Sequence, residues 1–217
     1  MLFDVKSPEL VSSLEFISVK ERVLIAKNPQ TCFVVLQKLV DDDEPEVRAQ
    51  IAGRLKISEE TLERLSLDKS PKVRIAVAKN PNTPERILKI FVSDSSPEVR
   101  AEMALKKKFL RCDLEKLSRD SSSRVRRAVA RNVNTPIKVL SILLKDGDPE
   151  VRADVAKRSV LSSTDLSRLS FDKDPRVRRV VARNAKTPHR VLRNLLTDED
   201  IEVRKIASRS IERFRII

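Results

Sequence analysis

Asp68-Lys-Ser-Pro-Lys-Val-Arg74-Ile-Ala-Val-Ala-Lys-Asn-Pro-Asn-Thr-Pro84 is the stretch that decides the fold, because variants of it recur along nearly the whole chain. Its Val-Arg pair returns every 26 residues, at 47–48, 73–74, 99–100, 125–126, 151–152, 177–178 and 203–204. One interval earlier the pair becomes Glu21-Arg22. An unbroken period of this length is typical of a solenoid, in which each repeat packs only on its neighbours.

Each repeat contains two short segments with helical patterns, separated by an acidic turn. The first segment is predicted to bury apolar pairs at i and i+3: Leu36/Leu39, Leu62/Leu65, Leu88/Phe91, Leu114/Leu117, Leu140/Leu143, Leu166/Leu169 and Leu192/Leu195. The second segment presents an apolar stripe, for example Val73, Val77 and Ala78. Helices this short are marginal alone, so their stability must come from stacking.

The turn between the segments carries helix-start signals. Two residues after its repeated Asp stands a predicted N-cap residue: Glu44, Ser70, Ser96, Ser122, Asp148, Asp174 or Asp200. Proline follows in five repeats, at positions 45, 71, 97, 149 and 175, where the first helical residue tolerates the missing N–H. The turn is therefore predicted to start the second helix of each repeat.

A second period, of 52 residues and so twice the 26-residue one, is formed by Asn28, Asn80, Asn132 and Asn184. Each Asn is followed three residues later by Thr, and Thr83-Pro84 is predicted as an N-cap and first helical residue. Two interpretations of the Asn row remain open. The side chains could hold a peptide backbone, or each Asn could end one helix while the Thr caps the next; capping is favoured.

The pattern Val-Arg-x-x-Val-Ala-Lys-Asn-Pro-Asn-Thr-Pro-x-x-x-Leu-x-x-x-x-x-Asp resembles the leucine-rich repeat variant family, which is close to HEAT-like repeats. The resemblance covers about residues 9–211 and implies an all-α, right-handed α-solenoid of about eight repeats. It leaves open whether one segment of each repeat is 3₁₀ instead of α. We expect one domain over 1–217, with 1–19 as an N-terminal cap, 20–211 as repeats and 212–217 as the C-terminal end.

One branch of that family carries an iron–sulfur centre on an N-terminal cysteine cluster. Such a centre needs about four cysteine ligands. This chain has two cysteines, Cys32 and Cys112, so we expect no cofactor and no metal.

Each motif Arg lies six residues after the repeated Asp, a spacing that HEAT-like arrays use for an Asp–Arg ladder between adjacent repeats. The planar guanidinium suits bidentate pairing with carboxylate. The ladder is favoured over a binding role for these arginines, with Arg126 structural and its neighbour Arg127 exposed. The predicted ladder comprises Asp42, Arg48, Asp68, Arg74, Asp94, Arg100, Asp120, Arg126, Asp146, Arg152, Asp172, Arg178, Asp198 and Arg204.

Other charged residues lie beside the buried stripe of the second helix. Basic residues there form a candidate surface for an anionic partner: Lys72, Lys79, Arg124, Arg127, Arg131, Arg176, Arg179 and Arg183. Intervening repeats place acidic residues at these positions, so salt bridges between repeats are the alternative interpretation. The net charge of +13 is uneven, since residues 109–217 carry +11 and residues 1–108 carry +2. A net positive groove is therefore expected in the C-terminal half.

These features favour a non-enzymatic scaffold that binds another protein. With a single histidine, His189, a metal hydroxylase is disfavoured, and the absence of Trp and Tyr argues against a glycosylase that stacks on a displaced base. The alternative is sequence-independent binding of DNA or RNA phosphates through the basic groove. No segment resembles a signal peptide or a membrane span, so we expect a cytoplasmic protein without a membrane partner.

The C-terminal residues Ile211-Glu-Arg-Phe214-Arg-Ile-Ile217 stay apolar where a capping repeat should turn polar. We therefore expect weak end-to-end self-association, with apparent mass in sedimentation rising with concentration. Removal of Phe214 to Ile217 should abolish that rise. A chain that stays monomeric with or without these residues would contradict the prediction.

Overall fold

The computed structural model describes residues 4–106 and 111–214, apart from the side chains of Arg111, Cys112, Arg213 and Phe214. Over these residues the chain forms sixteen α-helices and one 3₁₀ turn, and no strand. The predicted all-α solenoid is confirmed. The end residues 215–217 and the side chain of Phe214, on which the self-association prediction depends, lie outside the described part.

Each repeat consists of a shorter A helix followed by a B helix that carries the Val-Arg motif. The A helices are α1 (Leu10–Ser13), α3 (Phe33–Leu39), α5 (Glu59–Ser66), α7 (Glu85–Phe91), α9 (Arg111–Leu117), α11 (Ile137–Leu143), α13 (Ser163–Leu169) and α15 (His189–Leu195). The B helices are α2 (Val19–Lys27), α4 (Pro45–Ala52), α6 (Pro71–Lys79), α8 (Pro97–Leu105), α10 (Ser123–Arg131), α12 (Pro149–Ala156), α14 (Pro175–Arg183) and α16 (Ile201–Phe214). Both segments of the repeat are thus α-helical where described, and 3₁₀ geometry there is confined to Leu14–Phe16.

The chain forms two compact units, residues 1–103 (unit 1) and 104–217 (unit 2). In unit 1, α4 packs between α2 and α6, and α3 and α5 pack on their neighbouring B helices. In unit 2, α10, α12, α14 and α16 pack in succession, with α11, α13 and α15 against them. Each unit therefore has a B-helix layer and an A-helix layer.

The core lies between the two layers. Val73, Val77 and Ala78 of α6 are fully buried, as the stripe predicts. In α3 and α7, however, the prediction of the buried pair is wrong at its first position, because Val35 and Ile87 are buried while Leu36 and Leu88 are only partly covered. These two helices bury residues at i and i+4, a spacing that also lies on one helix face.

The acidic turn begins each B helix, and four of the seven predicted N-cap residues accept a helix N–H as predicted, among them Ser96 from Glu98 N at 3.2 Å and Asp200 from Val203 N at 2.9 Å. Asp148 Oδ1 accepts from Glu150 N at 2.8 Å, and Asp174 caps α14 in the same way. The side chains of Glu44, Ser70 and Ser122 stand at N-cap positions without making a capping bond. In every such turn the repeated Asp accepts the N–H two residues later, as Asp68 accepts from Ser70 at 2.8 Å.

The Thr of the Asn-x-x-Thr segment also departs from the prediction. Thr83 Oγ1 donates to Val77 O at 2.5 Å, and α7 begins at Glu85 with no side-chain cap. The hydroxyls of Thr31, Thr135 and Thr187 donate in the same way to the preceding helix. The Thr therefore fixes the end of the B helix instead of starting the next A helix, because its hydroxyl adds a second donor to a carbonyl of the last turn; Val77 O, for example, also accepts from Asn80 N at 3.1 Å.

Over the described residues, six of the motif arginines each join their repeat to the next. Arg74 Nε and Nη2 donate to the two carboxylate oxygens of Asp94, both at 2.7 Å, while Nη1 donates to Asp68 O in its own turn at 2.7 Å. The same carboxylate pairing occurs in Arg22–Asp42, Arg48–Asp68, Arg126–Asp146, Arg152–Asp172 and Arg178–Asp198. Arg100 and Arg204 bond the carbonyls of Asp94 and Asp198 in their own turns, and Asp120 accepts from Ser122 N.

These pairs are almost sealed from water, with side chains 11% exposed for Arg74 and 7% for Asp94. Burial acts to raise the pKa of Asp94, but the hydrogen bonds from Arg74 and from the Ser96 N–H outweigh it, so the pKa is lowered. The pKa values of Asp68, Asp172 and Asp198 are lowered by the same balance. The carboxylates therefore stay charged in the interior of the stack.

Arg126→Ala should lower the free energy of unfolding by roughly 1–3 kcal/mol, because it removes two hydrogen bonds to the buried Asp146 carboxylate and one to the Asp120 carbonyl. The control is Arg168→Ala on α13, an exposed arginine for which we expect a change of less than about 0.5 kcal/mol. Urea denaturation of both variants measures the difference. Equal effects of the two substitutions would contradict a stabilising role for the ladder.

Candidate partner-binding surface

The B helices carry the predicted cations on their exposed side, which we call the B-helix surface. In unit 1, Lys72 Nζ lies 3.3 Å from Glu46 and Lys79 Nζ lies 3.5 Å from Glu102. Both lysines are more than half exposed. Their charges are locally balanced, in keeping with the small net charge of this half.

In unit 2 the surface is organised around one buried carboxylate, Asp154 of α12. Arg127 Nε and Arg131 Nε each lie 2.9 Å from Asp154 Oδ2, and Lys157 Nζ lies 2.7 Å from Oδ1. The Asp154 side chain is 1% exposed, whereas the three cations reach the surface. We call these four residues the Asp154 cluster.

The cluster corrects the interpretation of Arg127 as a free surface cation. Its side chain is 30% exposed, and besides Asp154 it contacts Glu150 at 3.1 Å. Removal of Arg127 would therefore also affect a buried carboxylate. For this reason Arg127 is not suited as a neutral control in stability measurements.

Two further predicted cations are also paired. Arg176 contacts Glu150 at 3.1 Å and Asp174 at 2.7 Å, and Arg179 contacts Asp200 at 2.6 Å. The hydrogen bond from Arg176 is the main cause that lowers the pKa of Asp174 to about 2. Arg179 likewise lowers the pKa of Asp200 to about 2. These acids stay ionised, and their pairs persist, at neutral pH.

Arg183 and Arg124 complete the predicted set. Both are exposed. Arg183 makes no ion pair with any acidic residue in the described part of the chain. The predicted surface is thus a mixed one, in which most cations are held by acids of adjacent repeats.

A second ladder fixes the C-terminal ends of the B helices. Asn80 Nδ2 donates to Ala52 O at 2.7 Å and to Arg54 O at 2.8 Å, while its Oδ1 accepts from Asn82 N. Asn132 and Asn184 make the same bonds one repeat pair further on. The amide groups are fully used, and Asn80 and Asn132 are buried, so the interpretation that these side chains hold a peptide backbone is wrong.

In the alternate repeats Arg54, Lys106 and Arg158 take the place of this Asn. Arg54 Nη1 donates to Ala26 O at 2.6 Å and to Asn28 O at 2.9 Å, and Arg158 makes equivalent bonds to the carbonyls of Ala130 and Asn132. Desolvation by burial lowers the pKa of both arginines from its usual value. The 52-residue period of Asn does not predict that Asn80, Arg54 and Arg158 all donate to carbonyls of the preceding repeat.

Within residues 4–106 and 111–214, no group of three or more His, Cys, Asp or Glu side chains is arranged to hold a metal ion. In the same part of the chain, each helix is too short or too polar to traverse a lipid bilayer.

A solved structure of a leucine-rich repeat variant with a novel repetitive structural motif matches the chain with a TM-score of 0.71 and 29% identity. The match covers 94% of this chain and 81% of that chain. The chain is similar in fold and sequence to a leucine-rich repeat variant. The resemblance predicted from the Val-Arg and Asn-Thr-Pro patterns is thereby confirmed.

Other likenesses are weaker. An engineered protein matches with a TM-score of 0.45 and 19% identity over 96% of this chain and 78% of its own. A chain of the Pds5–Scc1 complex matches with a TM-score of 0.41 and 14% identity over 93% of this chain and 45% of its own. Neither likeness bears on function at this level. No protein-family model and no curated protein matches the sequence.

Asp154→Asn should lower the free energy of unfolding at pH 7 by roughly 1–3 kcal/mol, because a charged acceptor for three cations is lost. Burial acts to raise the pKa of Asp154, but the hydrogen bonds from Lys157, Arg127 and Arg131 together lower it. A lowered pKa stabilises the fold above the pKa of the unfolded carboxyl, about 3.9, and that stabilisation is lost as the pH falls through the folded value. The difference between parent and variant should therefore shrink below about pH 4.

Urea denaturation of parent and variant at neutral and acidic pH measures this difference. Glu60→Gln, at an exposed acid of α5, is the control and should change stability little at either pH. A pH-independent difference for Asp154→Asn would show that lost packing, and not lost charge, is responsible.

Proposed function

We propose that the chain is a non-enzymatic scaffold that binds another protein on its B-helix surface. The observation that carries this proposal is the pairing of the surface cations. Arg127, Arg131, Arg176 and Arg179 are held by Glu150, Asp154, Asp174 and Asp200, so positive and negative groups stand side by side at fixed places.

A surface of this kind suits a protein partner. Protein interfaces gain specificity from complementary charges of both signs, since wrongly placed like charges are costly. The backbone beneath the surface is held by the motif arginines and by the Asn and Arg donors at the helix ends, so the charged groups are mounted on ordered helices. Ordered groups lose less conformational entropy on binding than flexible ones.

Binding of nucleic acid is the second candidate, and one observation favours it. Residues 109–217 carry a net charge of +11, and exposed cations outside the predicted set, such as Arg190 and Arg193 of α15, have no acidic partner in the described part of unit 2. Phosphate contacts would dominate such binding, because the chain has no Trp or Tyr and only seven Phe for base stacking.

Affinity capture from the native cell extract, with and without nuclease, separates the two candidates. The scaffold proposal expects a protein partner that is retained after nuclease treatment and at moderate salt. Arg131→Glu combined with Arg176→Glu should release it, whereas Arg190→Glu combined with Arg193→Glu should not. Loss of every captured protein after nuclease treatment would contradict the proposal.

Titration of duplex and single-stranded oligonucleotides at two salt concentrations tests the second candidate. Binding through phosphates should weaken steeply with salt, with a log–log slope of about −0.9 for each duplex phosphate neutralised. Each arginine that contacts a phosphate should reduce that slope by about one unit when replaced by alanine. No binding at low salt would rule out nucleic-acid binding, because the only argument for it is electrostatic attraction to phosphates.

A further inference from the structure

The 52-residue period places three basic side chains at corresponding positions twice in unit 2. Arg127, Arg131 and Lys157 form the first set, and they converge on Asp154. The residues 52 positions later are Arg179, Arg183 and Arg209, which form the second set. The first set can therefore be compared with the second set within the same chain.

The second set lacks the central acid. Ile206 occupies the position that corresponds to Asp154, and it is 7% exposed. Arg179 forms an ion pair with Asp200 instead, at 2.6 Å. Arg183 and Arg209 are exposed, and neither makes an ion pair with an acidic side chain in the described part of the chain. Two cations thus flank an apolar position where the first set has a carboxylate.

The backbones of the two sets are arranged alike. Arg158, which follows Lys157, donates from Nη1 to Ala130 O, next to Arg131, at 2.8 Å. Ser210, which follows Arg209, donates from Oγ to Ala182 O, next to Arg183, at 2.7 Å. Since α14 also packs on α16, Arg183 and Arg209 start from neighbouring backbone positions, as Arg131 and Lys157 do.

We propose that Arg183 and Arg209 bind a carboxylate side chain from an acidic, extended segment of the partner protein, above the apolar floor of Ile206. The inference rests on the proposed scaffold function and names the chemistry of the partner. Asp154 supports it, because the chain itself already places a carboxylate between the corresponding cations. An aspartate or glutamate of the partner would supply the carboxylate that is missing at position 206.

The spacing of the cations suggests the pattern of the segment. Arg131, Lys157, Arg183 and Arg209 follow one another at intervals of one repeat. Packed helices lie about 8–10 Å apart, and three residues of an extended polyproline II segment span about 9 Å and bring the side chain back to the same face. Arg131 and Lys157 are already paired with Asp154, so a segment with an acidic residue at every third position would present its acids on one face and place one of them between Arg183 and Arg209.

The probe is a fluorescein-labelled peptide with Glu at every third position, titrated at low ionic strength and followed by fluorescence anisotropy. Combined Arg183→Ala and Arg209→Ala should weaken binding about tenfold or more, since charge-assisted hydrogen bonds are lost. The matched control, Arg190→Ala with Arg193→Ala, removes the same charge from α15 and should change affinity less than about twofold. A peptide with Gln in place of Glu should not bind.

Ile206→Asp gives an independent test, because it restores the acid of the first set and should occupy both arginines. It should weaken peptide binding about as much as the alanine pair. Circular dichroism establishes that this variant folds. If it does not fold, the alanine pair and its control still decide the question.

Three outcomes would overturn the inference: a parent protein that does not bind the peptide, an equal loss in the control pair, or tighter binding of an oligothymidylate of equal charge that the alanine pair abolishes. The last outcome would assign the two arginines to nucleic acid. Capture of a protein partner that is unaffected by the alanine pair would leave the scaffold function intact and remove only this site.

Discussion

The structure depends on one arginine side chain in each repeat. Arg74 donates at the same time to the carbonyl of Asp68 in its own turn and to the carboxylate of Asp94 in the next. That carboxylate in turn accepts the N–H of Ser96, which lies at the start of the following B helix. A single buried guanidinium therefore sets the distance and orientation between two successive turns, and through them between two successive B helices. Lysine could not replace it, because a point charge lacks the rigid fork of donors.

Buried ion pairs are not always stabilising, since desolvation of the charges can cancel their attraction. Here the cost is reduced in two ways. Each Asp carboxylate also accepts a backbone N–H, and the third donor direction of the Arg is used on a carbonyl, so few polar atoms of the pair are left unmatched. The lowered pKa of Asp68, Asp94, Asp172 and Asp198 indicates that these hydrogen bonds outweigh burial. An apolar pair of the same size could be as stable, but it would not fix the register of the turns as a bidentate contact does.

Most of the fold could be predicted from the sequence because the same sequence pattern, and with it the same local structure, recurs in successive repeats. The period gave the stacking, proline marked the starts of B helices, and the Asp and Arg positions had a spacing suited to a ladder. The predictions that were wrong concern which of two adjacent residues is buried and which acceptor a side chain bonds. Val35 and Ile87 take the buried places given to Leu36 and Leu88, because helices this short can turn either adjacent residue to the core. Thr83 lies in sequence between the end of α6 and the start of α7, and only the three-dimensional path of the chain decides that its hydroxyl bonds Val77 O.

The charged surface could be predicted only in part, for a different reason. Periodicity identified which cations lie on the B helices, but not which of them would be paired. Pairing depends on contacts between residues about one repeat apart, such as Arg127 with Asp154, whose geometry the sequence does not contain. The residue at a single position decides which of these cations are paired. Where position 154 has Asp, three cations are drawn together; where position 206 has Ile, Arg183 and Arg209 stay open to solvent. Because the scaffold beneath is nearly constant, single residues of the surface can change its charge pattern without altering the ladder. A repeat protein can therefore vary the charges that it presents while the ladder keeps successive turns in register.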